Sequence, residues 1–354
     1  MLKNYLKNKE FCLKQLIINI MKLKNKYFKI KHNKFFPYGK TLVIAEIGSN
    51  HNNKFENVKK MISIAKKAGC DAVKFQLFKA KNLVPINSKA FSVLKKIELP
   101  DNWVPKIKKF CNQKKILFAC SPFDVNAVKL LYKNKCDVLK IASPEIKNLE
   151  LIAHATKTGI PTIISTGDSN TKIIDLALKT VKLSKFKKSR IALLHCTSEY
   201  PAKIKNINLR MISYLSQKYN DIPIGFSDHS LGIDFSVASV AMGACIIEKH
   251  ITISRKMIGP DHFFAIEPKE LHELVYKIRN LEKSFGKTKK ERLPSENTIY
   301  ICAFAKNKIN KNAIILKKDI TFKRSKIKGI EFYNLKKIIK KRAKKNFRKD
   351  EILF

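Results

Sequence analysis

The sequence predicts a closed (β/α)8 TIM barrel followed by a small β-rich C-terminal domain, on three observations. From residue 41 onward, short β-like apolar runs recur with helical patterns between them, eight units in all, and such alternation argues for a parallel sheet. The runs also end in chemistry: Val43-Ile44-Ala45-Glu46, Val73-Lys74-Phe75-Gln76, Leu139-Lys140-Ile141-Ala142-Ser143, Ile163-Ile164-Ser165-Thr166, Leu193-Leu194-His195-Cys196, Ile224 to His229 and Ile246 to His250. Polar groups in strands buried on both faces are costly unless they converge on a ligand, and the strand ends of a closed barrel ring one mouth. Finally, no GxGxxG follows the first run, so a doubly wound open sheet fits less well.

The elements follow in order. The first strand covers about 41–48, and the helix after it, 54–69, carries Val58, Met61, Ile62 and Ala65 on one face. The second strand covers 71–78, and the long segment 79–100 after it is of the kind that serves function on a barrel. Strands at 116–120, 137–142, 162–166, 191–196, 222–227 and 244–250 complete the eight. Helices near 124–134, 147–158, 171–184, 206–217, 232–242 and 268–285 accompany them. The barrel domain is thus assigned to 37–286, a lysine-rich linker to 287–297 and the small domain to 298–354. In that last piece Ile299 to Phe304, Ile314 to Leu316 and Ile320 to Phe322 read as short strands, and the basic run Lys336 to Lys349 as a solvated helix face. A domain of this size has little core of its own and is expected to dock on something. The basic arm 1–36 is expected to be partly disordered. Its best apolar run, Leu16 to Met21, is broken by Asn19 and followed by Lys22, unlike a signal peptide, and Met21 is an alternative start.

Lys and Arg number 73 against 28 Asp and Glu, a formal charge of +45. The lysines are spread over nearly every segment, and no RNP, zinc-finger or helix-turn-helix pattern accompanies them. Specific nucleic-acid binding is therefore not expected, whereas attraction of an anionic substrate is. No apolar stretch approaches the ~20 residues of a membrane span. The eight cysteines form no CxxC pair, which suits a reduced, cytoplasmic compartment. Cys120, Cys196 and Cys245 sit in apolar runs as core fillers.

His229 and His250 close runs on neighbouring strands, and two imidazoles facing one mouth make a divalent-metal site with positions open to water and substrate oxygen. Glu248 shares a strand face with His250, while Lys249 points the other way as a structural group. Lys74 and Lys140 lie mid-run among apolar neighbours and need partners. A salt bridge to Glu46, Asp71 or Glu145 is the ordinary explanation. With the hydroxyls of Ser143, Ser165, Thr166 and Ser227 the two lysines also make a phosphate or carboxylate pocket, and a Schiff-base aldolase lysine is the competing functional reading.

Glu46-Ile47-Gly48-Ser49-Asn50-His51-Asn52, Ala72-Val73-Lys74-Phe75-Gln76, Ser121-Pro122-Phe123-Asp124, Lys140-Ile141-Ala142-Ser143, Ser165-Thr166-Gly167, His195 to Pro201, Gly225 to His229, Glu248-Lys249-His250 and Gly259-Pro260-Asp261-His262 occur in the order seen in the bacterial sialic acid synthase family, which the chain resembles over about 41–350. The C-terminal piece is similar to that family's antifreeze-like (SAF) domain. The resemblance implies condensation of phosphoenolpyruvate with an open-chain N-acylated hexosamine, giving a nine-carbon 2-keto acid and phosphate. It implies that His229 and His250 hold a manganese-type ion, with magnesium or cobalt as alternatives. It implies that Lys74, Lys140, Ser143, Ser165 and Ser227, with Ser198 beside them, grip phosphoenolpyruvate. Glu46, Gln76, Tyr200 and Asp261 would meet the sugar hydroxyls or the attacking water, Glu46 being the carboxylate that stabilises positive charge or activates water. Arg324 would reach the N-acyl group from a partner subunit's small domain, so the implied assembly is a domain-swapped homodimer. Asp168, Ala265 and Ser325-Lys326 stand where the family usually has methionine, serine and Pro-Gly. These departures lie toward the sugar end, so a legionaminate-type synthase or a non-catalytic carbohydrate-binding protein is an alternative.

Overall fold

The computed structural model describes residues 26–353 except 185, 288, 292, 297 and 298. Its first elements are an antiparallel hairpin, β1 (Phe28–Ile30) and β2 (Asn33–Phe35). Eight parallel strands follow: β3 (Leu42–Gly48), β4 (Ala72–Leu77), β5 (Leu117–Pro122), β6 (Val138–Ile141), β7 (Thr162–Ser165), β8 (Ile191–Cys196), β9 (Ile224–Asp228) and β10 (Ile246–His250). They close into a barrel in sequence order, β10 pairing with β3 so that His250 lies opposite Glu46. The sequence places every one of these strands to within two residues at either end.

Strand alternation divides the core in two. Leu42, Ile44, Ala72, Val138, Ile163 and Ile246 fill the barrel interior, while Val43, Ala45, Val73, Leu139 and Ile247 face the surrounding helices. The first of these helices, Phe55–Ala68, buries Val58, Met61, Ile62 and Ala65. It ends on Gly69 at φ 89°, whose N–H donates to Ala65 and Lys66 carbonyls in a conformation that glycine adopts without a side-chain clash. The segment after β4 is not an open loop, because it folds into the short helices Ala80–Leu83 and Lys89–Lys96 before the helix Trp103–Lys114. Among the described residues, no helix is long and apolar enough to cross a membrane.

The basic arm departs from the expectation of disorder over its last ten or so residues. Phe28, Ile30 and Phe35 are fully buried and belong to the interior cluster, so the hairpin seals the base of the barrel. Lys26 donates to the Ser216 carbonyl and hydroxyl and to the Tyr219 carbonyl, and Lys31 pairs with Asp137 at 2.7 Å. The lysines between these apolar residues conceal a plug whose strands are only three residues long. Residues 1–25, on which the rest of that expectation and the choice between Met1 and Met21 fall, lie outside the described residues.

The chain divides between Phe285 and Gly286 into two compact units. The second contains β11 (Tyr300–Ala305) paired antiparallel with β12 (Ile320–Ser325) over a small core that includes Ala303, Ile315, Ile338 and Phe347. The basic run Lys336 to Lys349 is not the expected helix. A 3-10 helix ends at Lys337, and Arg342 and Phe347 then form bridges with Ile314 and Ile309. Ile338, Ala343 and Phe347 are buried at spacings of five and four residues, which do not keep one helical face turned inward.

If the hairpin is structural, Phe35→Ala should lower unfolding free energy by about 3–5 kcal/mol, the usual cost of emptying a core phenylalanine site. Urea denaturation measures this, and a change below about 1 kcal/mol would show the hairpin to be peripheral.

Candidate active site

Inward positions of several strands meet at the C-terminal mouth. The Lys74 ammonium lies 3.4 Å from Glu46 Oε2 and 3.3 Å from Glu248 Oε1, and it donates to Ser121 Oγ at 3.1 Å. Lys140 lies 3.8 Å from the same Glu248 oxygen and donates to the Ile141 carbonyl. Ser227 donates its hydroxyl to Glu248 Oε1 at 3.1 Å. All four charged side chains are at most 4% exposed. The other partners considered for the lysines are engaged elsewhere, Asp71 with Arg279 and Glu145 with Asn148.

The two carboxylates differ in their surroundings. Burial pushes Glu248 up, but Lys140, Lys74 and His229 together outweigh it and hold the group below the ordinary glutamate value. Burial also pushes Glu46 up, to about 7, against the pull of Lys74. Pairing alone would have lowered both. Glu46 differs because, among the described residues, Lys74 is its one ion-pair partner and the Glu248 charge adds to desolvation, whereas Glu248 has both lysines and His229 around it. Burial likewise pulls Lys140 down, whereas Lys74, buried too but set between Glu248 and Glu46, is raised.

Several buried atoms at this mouth have no hydrogen-bond partner: Glu46 Oε2, Glu248 Oε2, Ser165 Oγ and His250 Nδ1. Each such atom costs roughly 1–3 kcal/mol if nothing binds it, and together they mark a place for a ligand. Ser143 and Ser198 converge over Gly167, where a Cβ would stand 2.7 and 2.6 Å from their hydroxyls. Thr166, counted with the anion-binding hydroxyls, instead donates its proton to the Leu194 carbonyl.

The histidine side is equally compact. His229, just past β9, and His250, ending β10, have ring centroids 5.4 Å apart at 67°. His229 Nδ1 lies 2.8 Å from the Thr197 carbonyl and is assigned the proton it donates there, which leaves Nε2 free to bind. Burial, then His229 and Lys74, hold His250 well below the usual histidine value and therefore neutral. Asp261 Oδ2 stands 3.7 Å from its Nδ1. Tyr200 stacks on His229 at 4.2 Å. Burial pulls His229 down, but Cys196 and the Thr197 carbonyl outweigh it and hold the group above the usual histidine value, so a divalent ion on these two imidazoles would displace a proton from His229. Among the described residues no three His, Cys, Asp or Glu are grouped to hold one, so water or substrate must supply the other ligands.

Gly48, at φ 51°, brings the sugar-side candidates together: a Cβ there would lie 3.3–3.4 Å from Glu46 Oε1, Gln76 Nε2 and Asp261 Oδ2. Gln76 donates to Glu46 Oε1 at 2.8 Å. Arg324 lies exposed on β12 of the second unit, in register with Ile301. Sequence reasoning noticed Glu248 only as a face-mate of His250 and gave it no role. Its position two residues before His250 on an inward face was the available signal. Ser121, which the sequence offers only as part of the Ser121-Pro122-Phe123-Asp124 run, accepts from the Lys74 ammonium. Cys196 is more than filler, since its sulfur lies 3.8 Å from His229 Nδ1. Lys249 does point away from the mouth, pairing with Asp228 at 3.0 Å.

A closed parallel barrel with a buried cluster of lysines and carboxylates and two facing histidines at its mouth defines the class: a barrel enzyme. The chain belongs to the NeuB family, which residues 61–290 match. It is 36% identical to the N,N'-diacetyllegionaminic acid synthase of Campylobacter jejuni, over 89% of this chain and 99% of that protein. It is 34% identical to human N-acetylneuraminate-9-phosphate synthase, covering 72% of this chain and 74% of the relative. The crystal structure of the N-acetylneuraminic acid synthetase of Leptospira borgpetersenii, in complex with citrate, superposes with a TM-score of 0.72. The two chains are 35% identical, over 77% of this chain and 94% of that one.

Carboxyl resonances followed by NMR against pH should show Glu46 titrating at about 7, and the signal should vanish in Glu46→Gln. A midpoint in the ordinary glutamate range near 4.3 would mean that water reaches this carboxylate.

Proposed function

We propose that the chain is a phosphoenolpyruvate-dependent nonulosonate synthase. It joins phosphoenolpyruvate to the aldehyde of an open-chain N-acylhexosamine, such as N-acetylmannosamine or a 2,4-diacetamido hexose, giving a nine-carbon 2-keto sugar acid and phosphate. The observation that carries this reading is the pair Lys74 and Lys140 sharing Glu248 beneath the unpartnered hydroxyl of Ser165. With Glu46 raised to about 7, two ammoniums and the ionised Glu248 leave excess positive charge whenever Glu46 is protonated, suited to a multiply charged anion. The family and its relatives named for sialic and legionaminic acid synthesis support the same class.

In this scheme Lys74, Lys140, Ser143, Ser165 and Ser227 bind the phosphate and carboxylate, with Ser198 at the rim. Gln76, Tyr200 and Asp261 face the sugar. A divalent ion on His229 and His250, manganese in preference to magnesium or cobalt, would supply Lewis-acid polarisation of the aldehyde oxygen. The enol carbon of phosphoenolpyruvate forms the new bond to the aldehyde carbon, and positive charge develops at the carbon bearing phosphate. Glu46, held by Gln76 through Oε1, stabilises that charge and accepts a proton from the attacking water at Oε2. The proton that water gives up balances the one gained by the sugar oxygen, and cleavage of the carbon–oxygen bond in the tetrahedral species, with loss of its hydroxyl proton to the departing phosphate, leaves the 2-keto group and releases phosphate beside the lysines. Arg324 of a partner subunit, whose guanidinium offers a rigid fork of donors, would meet the N-acyl carbonyl in a domain-swapped homodimer.

Phosphate release assayed with each sugar identifies the substrate, and exhaustive EDTA should abolish it. Activity that survives EDTA together with trapping by borohydride would point to a Schiff-base aldolase instead. His229→Ala and His250→Ala should each lose on the order of 100-fold or more at limiting manganese with circular dichroism unchanged. Lys140→Ala should raise the KM for phosphoenolpyruvate by roughly 10–100-fold, the value of a lost charge-assisted bond. An unchanged KM would make the lysine structural.

The swapped dimer is tested by mixing Arg324→Ala chains with His229→Ala chains. One mouth of each mixed dimer then carries no lesion, so activity should return on subunit exchange. No return despite demonstrated exchange would count against the swap.

A further inference from the structure

We infer that the buried Asp228–Lys249 pair, on the helix-facing side of β9 and β10, is a positioning clamp that sets the spacing and facing of His229 and His250. The inference rests on the metal reading above and extends it to residues behind the site.

Asp228 immediately precedes His229, Lys249 immediately precedes His250, and the two are register partners across the β9–β10 ladder. They are 1% and 2% exposed. Lys249 lies 3.0 Å from Asp228 Oδ2 and donates to the Ser230 carbonyl at 2.6 Å, so it grips the chain on both sides of His229. Asp228 closes the same bracket: its Oδ1 accepts from the Ser230 N–H at 2.8 Å and the Ser230 hydroxyl at 2.6 Å. Its Oδ2 also accepts from Ser236, at 2.5 Å, on the helix Asp234–Ala241. His229 itself lies beyond the last residue of its strand, where its carbonyl accepts from the Ala202 N–H at 2.9 Å and its ring is tied to the Thr197 carbonyl, so the clamp adds to these contacts the tie to the strand that carries His250.

A buried ion pair is seldom better for stability than an apolar pair of equal volume. What this one provides is geometry, since the backbone flanking one histidine is tied to the residue before the other. Strand alternation turns both histidines to the mouth while the clamp stays on the opposite face.

The double variant Asp228→Asn/Lys249→Met removes both charges and leaves no buried ion alone. Isothermal titration of the folded protein with Mn2+ should show a dissociation constant raised roughly 10–100-fold, as for other groups that orient metal ligands. Phosphoenolpyruvate titrated without metal should bind as to wild type. A folded double variant with an unchanged Mn2+ constant overturns the clamp. If that variant does not fold, Ser236→Ala carries the test: a several-fold weaker Mn2+ constant supports the clamp, and an unchanged one overturns it. Wild type and His250→Ala are titrated alongside. Equal Mn2+ binding by these two would overturn the metal reading, and the clamp with it, whereas a clear difference between them assigns any failure to the clamp alone.

Discussion

Glu248 on β10 lies against Lys74 on β4 and Lys140 on β6, strands that meet only because β10 pairs with β3 and closes the barrel. Taking an ammonium out of water costs on the order of several kcal/mol per ion. An open sheet would place β10 and β4 at or near opposite edges and leave both lysines without this counter-charge. Closure and the ion cluster therefore depend on each other. The cluster, in turn, fixes the electrostatics of the mouth, because the two lysines hold Glu248 below its ordinary value while burial and the Glu248 charge raise Glu46, paired among the described residues with Lys74 alone, to about 7.

The mouth is divided by strand. β4, β6 and β7 supply cations and hydroxyls, while β9 and its following residue and β10 carry the imidazoles together with Ser227 and Glu248. Glu46 stands on β3 between the two halves, in register with Lys74 on one side and His250 on the other. In the proposed reaction that border is where a group must stand to bear on the anion and also receive a proton. Gly48 and Gly167 serve the same economy of space, since a side chain at either would fill the gap where polar groups from different strands approach one another.

The strand-end chemistry was legible because a parallel strand leaves few reasons for a charge in an apolar run, and Lys74, Lys140, His229 and His250 are conspicuous for that reason. The role of Glu248 was not, since a carboxylate beside a histidine reads equally well as a cap or a ligand until the lysines are known to reach it. Alternation alone placed Lys249 on the far face, but not its grip on the Ser230 carbonyl, which depends on how the chain turns after β9. The hairpin escaped because three apolar residues among lysines carry too little periodic signal. The end of the second unit was misread as helical because charge density there conceals buried Ile338, Ala343 and Phe347.

The seal at the base of the barrel has a bearing on vectorial synthesis. Lys26 rests on Ser216 and Tyr219, 190 and 193 positions further along the chain. On a ribosome the hairpin is therefore exposed long before its seat has been made, with β9 and β10 still to follow. Phe28, Ile30 and Phe35 thus remain apolar surface until β10, whose Ile246 belongs to the same cluster, has been made. The lysines set between them keep that waiting segment soluble, so the feature that hides the plug from a reader of the sequence also protects the nascent chain from premature association.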